Sequence, residues 1–125
     1  MSGVGDKVAE VNGKITTQTF DDDGTPSVNI EQEQCGPFGA VASTGTFVSP
    51  LNPAQQTGFY FEKGFTLAPD GSPVPFTGQG IWHESASGVW KVQECVLNVE
   101  GVRVFAALTF TFANKSVTGA LYALD

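Results

Sequence analysis

The chain is poor in the residues from which most catalytic and cofactor sites are built. Its single histidine, His83, rules out a histidine metal cluster or a His–His relay. Its two cysteines, Cys35 and Cys95, lie far apart and lack the further ligands of a metal site. They read as small buried hydrophobes, and the compartment as reducing and cytoplasmic. Six Lys and Arg stand against 13 Asp and Glu, a net charge of −7. Phosphate backbones require a basic stripe, so nucleic acid is not an expected partner. Without an apolar run of about 20 residues, no membrane-spanning helix is expected. The opening "MSGVGDKVAE" lacks the apolar core of a secretory signal. There is no G-x-S-x-G elbow, Cys/His nucleophile pair or dinucleotide fingerprint. Nucleophilic, metal and NAD-type mechanisms are therefore not expected, and no cofactor is implied.

Helical periodicity is also missing. With 15 Gly, seven Pro and ten Phe, the chain favours strands and turns. Alternating runs fall at about 8–20, 27–36, 39–49, 57–68, 74–84, 89–99, 102–113 and 116–124. Turn chemistry separates them: "DDDGTP", "CGPFG", "SPLNPAQQTG", "APDGSP", "SASG", "EG" and "NK". Short connections imply an antiparallel meander, and eight strands without a covering helix hide their edges by closing. The expected fold is all-β: one eight-stranded antiparallel meander barrel spanning residues 1–125. Its interior is either filled by side chains or holds one small ligand.

Pairing Glu84 with Val89, Val99 with Val102 and Ala113 with Ser116 assigns the faces. One face collects Val74, Phe76, Trp82, Cys95, Leu97, Val104, Ala106, Leu108, Phe110, Val117 and Leu121. Carried back across "APDGSP", it adds Phe59, Phe61, Phe65 and Leu67. This is the expected interior, with Lys63, Glu84, Lys91 and Gln93 as its polar exceptions. Trp90, Val96 and Phe105 fall outside, where an apolar patch marks an interaction surface, so a homo-oligomer, most simply a dimer, is expected through them. Gln93 thus points in and Glu94 out. If Glu94 lies inside instead, the faces exchange and the site moves to Glu94, Gln79, Arg103 and Tyr122.

The motifs carry little chemistry. In "WHES", His83 and Glu84 point to opposite faces and cannot share a substrate. "TGQG" lacks the following helix of a phosphate loop and reads as room for barrel coiling. "DDDG" lacks calcium-loop spacing and reads as a solvated turn. In "IEQEQ", Glu31 and Glu33 read as an exposed strand side, with a buried carboxylate of raised pKa as the functional alternative. Glu33, on the face of Cys35, is then the candidate.

The segments "GDKVAEVNGKIT" and "FTGQGIWHE" resemble a group of small bacterial proteins with a GDK…GKIT opening and a W/F-T-G-Q-G strand. The architecture is similar to the allene oxide cyclase, dirigent and lipocalin-like barrels. That resemblance implies binding of apolar ligands, or cofactor-free cyclisation or isomerisation of a polyene- or polyketide-like substrate. The expected pocket takes walls from Trp82, Phe59, Phe61 and Phe110, and polar contacts from Lys91 and Gln93. Glu84 and Glu33 are the candidate catalytic groups, and a small apolar molecule is the expected ligand. The alternative is an assembly module with a filled barrel. A void of roughly 300 Å³ or more favours the ligand.

Overall fold

The computed structural model describes residues 4–50 and 56–124. The middle of the expected "SPLNPAQQTG" loop lies outside them. Eight strands follow in order: β1 (Val4–Phe20), β2 (Pro26–Gln32), β3 (Val41–Val48), β4 (Thr57–Leu67), β5 (Pro73–Ala86), β6 (Val89–Asn98), β7 (Arg103–Thr111) and β8 (Ser116–Leu124). Each pairs antiparallel with the next, and β8 pairs back onto β1. The expected barrel is therefore present, with no open edge left to template other chains. The "CGPFG" bend is a single 3₁₀ turn, Gly36–Phe38, between β2 and β3. Among the described residues, no helix is long and apolar enough to cross a membrane.

The register differs from expectation in a way that changes faces at three hairpins; at the fourth, Ser116 pairs with Thr111 instead of Ala113, a two-residue shift that keeps the faces. Between β4 and β5, the Gly71 N–H donates to the Ala68 carbonyl (2.8 Å) and the Ala68 N–H to the Ser72 carbonyl (2.9 Å). Between β6 and β7, the Gly101 N–H donates to Asn98 (3.0 Å) and the Asn98 N–H to Val102 (3.1 Å). Both loops place three residues between the bonded pair and put their glycine at φ +85°. That is a type I turn closed by a glycine in the left-handed region. Between β5 and β6, Ser85 is an extra residue: Glu84 pairs with Trp90, and Ala86 with Val89. Side chains alternate with a period of two, so one extra residue turns a whole strand over.

Strands β4 and β6 are turned over; β5, β7 and β8 keep the expected orientation. Phe59, Phe61, Phe65 and Leu67 point outward and are exposed, while Tyr60 and Glu62 are buried inside. Cys95 is exposed and Cys35 buried, both as free thiols. The expected inward Gln93 is outside and Glu94 inside. The exchange of faces stops there: Gln79 and Arg103 are exposed on the outer wall. Trp90 and Val96 also turn inward and pack against the core, which removes two of the three residues of the expected dimer face.

The interior has two halves. Towards the 86–89 and 112–116 hairpins it is sealed by aromatic rings around Phe47. The Phe47 ring lies 4.9 Å from Tyr60, 5.4 Å from Trp82, 4.8 Å from Trp90 and 5.1 Å from Phe110. Trp82 and Trp90 stack at 4.3 Å. The indole N–H groups are also satisfied: Trp82 Nε1 donates to the Val48 carbonyl (3.2 Å) and Trp90 Nε1 to Glu84 Oε2 (3.1 Å). Towards the 68–72 and 98–102 turns the rings give way to smaller aliphatic side chains, and a cavity of about 90 Å³ remains.

Candidate functional site

Two glutamates share the base of that cavity. Glu62 descends from β4 and Glu94 from β6, both buried. Alternation alone brings them in, since each is the inward residue of a strand whose neighbours face out. Glu62 accepts hydrogen bonds from Ser43 Oγ on β3 (2.6 Å, to Oε2) and from the Tyr60 hydroxyl (3.1 Å, to Oε1). Glu94 hydrogen-bonds with Glu62 and, among the described residues, has no hydroxyl donor. Its Oε1 is buried and has no hydrogen-bond partner. The side chain occupies space left by Gly78, where any Cβ would strike the same Oε1. The first glycine of "TGQG" is thus a seat for a carboxyl group.

The electrostatics follow from this packing. Burial first, then the charge of Glu62 and hydrogen bonding with it, hold the Glu94 carboxyl well above the ordinary glutamate range. Two carboxyls in one apolar site cannot both ionise cheaply, so Glu94 holds its proton to a higher pH than an ordinary glutamate. Burial and the charges of Glu62 and Glu94 also push the Tyr60 phenol well above its usual value. Cys35, another lining residue, has its thiol raised by burial and then by Glu62. A neutral acid beside a hydroxyl-supported carboxyl group can donate a hydrogen bond or a proton at one point and accept at another.

Most of the wall is apolar, with Ile30, Val104, Ala106, Leu108, Val117 and Leu121 among its residues; Gln32, Thr66 and Asn98 are its other polar side chains. Cys35 and Phe38, from the 3₁₀ segment, lie on the same lining. Gln32 ties that segment down. Its amide donates to the Glu10 carbonyl (3.1 Å) and the Gln34 carbonyl (2.8 Å), and its oxygen accepts from the Asn12 N–H (3.1 Å).

The residues expected from sequence are distributed differently. Trp82 and Phe110 are inside, but they belong to the aromatic seal and do not line the cavity. Phe59 and Phe61 are on the outer wall. Lys91 is outside too, reaching Thr109 of β7 (3.4 Å). Gln93 accompanies it on the outer face. Glu84 lies at the sealed end, where its carboxylate accepts from Trp90 Nε1 and the Gly88 N–H (3.3 Å), fastening the hairpin. Glu33 sits beyond the end of β2, exposed beside Glu31 and Gln34 on an open outer groove. Sequence reading missed Glu62, Tyr60 and Ser43 altogether. The available signal was the repeated pattern of "APDGS" and "NVEGV", each with glycine in fourth place, which marks a three-residue loop and corrects the register of both strands.

No protein-family model, curated protein or solved structure matches this chain.

Proposed function

We propose that the barrel binds a small, mainly apolar molecule in its mouth-side half, with one polar group against Glu94. The observation that carries this is the buried, unpartnered Glu94 Oε1 at the base of an apolar cavity. A buried polar atom without a partner is costly in a native protein, and a ligand group is one way to satisfy it. The volume of about 90 Å³ suits a few heavy atoms, either a small molecule or one end of a longer one. It is well under the roughly 300 Å³ of a common ligand pocket. The same pair of acids is suited to cofactor-free isomerisation or cyclisation: Glu94 gives a proton to one atom of the substrate while Glu62 takes one from another.

The test uses methyl NMR with benzene and n-butanol as probes. Shifts should concentrate on Val104, Leu108, Val117 and Leu121 and disappear in Val104→Phe, which fills the space while circular dichroism confirms the barrel. If no lining methyl responds to either probe, the binding reading fails.

The second reading is an assembly module. It is favoured by the outer wall of β4–β8, which carries exposed Phe59, Phe61, Phe65, Ile81 and Leu97. Native mass spectrometry of freshly purified protein reads both proposals together, as a retained small-molecule mass and as an oligomer mass.

A further inference from the structure

The Glu62–Glu94 pair has no cation to answer it. Among the described residues, all six Lys and Arg are exposed, and none points into the barrel. Glu62 is met by two hydroxyl donors, and Glu94, which lines the cavity beside it, carries a buried oxygen without a partner, seated against Gly78. The remaining lining is mostly apolar, with Gln32, Thr66 and Asn98 as its other polar side chains. A buried acidic pair attracts a cation strongly, because Coulomb interaction strengthens as the effective dielectric falls, and hydrogen bonds from the cation to the acids offset the cost of its desolvation.

We infer that the polar group taken by the Glu62–Glu94 pair is an organic cation, a primary ammonium carried on a short apolar group. This rests on the binding reading above and names the ligand class. The ammonium offers three donors. One can meet the Glu94 carboxyl, and the others Glu62 and Ser43, which share the lining. The apolar group then lies against Val104, Leu108 and Leu121. A hydrated divalent metal fits poorly. Among the described residues, no third Asp, Glu, His or Cys joins the two carboxyls to make a metal-holding group. At the same end, Asp70 and Glu100 stand on the two hairpin tips, with Arg103 just beyond the second.

Binding should be coupled to a proton. An ammonium beside Glu94 favours its carboxylate, so Glu94 releases its proton to solvent as the cation enters. The titratable groups near it are Glu62 and Tyr60 on β4, Cys95 next in sequence on the outer face, and Cys35 on the cavity wall. The inward residues of β5, β7 and β8 packed there (Gly78, Ala106 and Leu121) carry no charge.

Isothermal titration of the full chain with n-butylamine, n-butanol and n-butyrate tests this. At pH 7, in two buffers of different ionisation enthalpy, butylamine should bind about tenfold or more tighter than butanol, butyrate should bind weakest, and butylamine should release protons. Glu94→Gln should keep the amine preference and abolish the proton release. Glu62→Gln/Glu94→Gln should lose the preference for amine while still admitting butanol. Equal affinity for butanol and butylamine overturns the cation assignment and leaves the apolar pocket standing. So does tighter binding of butyrate, or displacement of butylamine by millimolar Mg²⁺ or Ca²⁺. If none of the three compounds binds, the pocket reading falls and the cation assignment with it.

Discussion

Glu94 is the residue on which the interior turns, and its protonation has a consequence for stability. Its carboxyl titrates in the native barrel well above the ordinary glutamate value of 4.5. Between those two values the folded chain holds a proton that the unfolded chain has lost. Folding stability therefore falls as pH rises from about 4.5 towards the raised native value, the opposite of the slope produced by a salt-bridged acid. Removing the charge while keeping the shape should remove the slope. Thermal melts of Glu94→Gln between pH 4.5 and 8 should show a flatter profile than wild type and a higher midpoint at pH 8. A wild-type midpoint that climbs over this range, unchanged in the variant, would show that Glu94 is ionised in the folded state. Exposed Asp23 and Asp70 act in the opposite direction, through hydrogen bonds from Thr25 and Ser72, but solvent screening leaves them little leverage.

At the scale of the element, the hairpin loops decide what each strand shows to the interior. Eight strands, their order and their approximate limits were legible because alternation and turn chemistry are local. Side-chain direction was not, because it depends on counting one residue at each loop. "NVEGV" looks like a two-residue "EG" hairpin, yet the loop spans Val99–Gly101. The side chain of Asn98 fixes it by accepting from the N–H groups of Glu100 (2.9 Å) and Val102 (3.0 Å). The composition of β4 and β6 gave no correction. In "FYFEKGF" both faces are aromatic, and in "KVQECVL" both carry a polar residue and an apolar one, so the pattern is nearly symmetric under a one-residue slip. On β7 the mistake could not arise, since the inward Val104, Ala106, Leu108 and Phe110 are apolar throughout. The loop glycine is then a sensitive position. Gly101→Ala forces a Cβ into φ +85° and should cost about 1 kcal/mol, read by urea denaturation. A neutral result would mean that the loop closes in another form, and that the orientation of Glu94 is held by β5 and the Ser85 bulge alone.

At the scale of the whole molecule, charge and apolarity are segregated around the barrel. Asp6, Glu10, Asp21, Asp22, Asp23, Glu31 and Glu33 lie on β1, β2 and the segments that follow each of them. The outward positions of β4 to β8 carry no carboxylate; their charges are Lys63, Lys91 and Arg103. A molecule of net charge −7 can self-associate most readily through a wall free of acids, and this is the wall that exposes Phe59, Phe61, Phe65, Ile81 and Leu97. At roughly 200 Å² for a full Phe side chain, five half-exposed apolar groups present on the order of 400–500 Å². With the threonines and glutamines between them, this approaches the ~800 Å² per partner of a standard dimer. The register makes the patch continuous, since Phe59 pairs with Ile81 and Phe61 with Gln79, which in turn pairs with Cys95. We therefore propose a second copy of this chain as the occupant of the β4–β6 wall. The opposite side turns Thr44, Asn29, Glu31 and Glu10 outward, so the apolar surface lies on one wall and does not encircle the barrel. Sedimentation of the wild-type chain at micromolar concentration should give a dimer. Phe61→Glu should give a monomer with unchanged far-ultraviolet circular dichroism, because that side chain faces away from the core. Lys91→Glu, at the edge of the same wall, should weaken the dimer less. A wild-type monomer at these concentrations, or a Phe61→Glu chain that remains dimeric, would mean that the wall serves another partner or none.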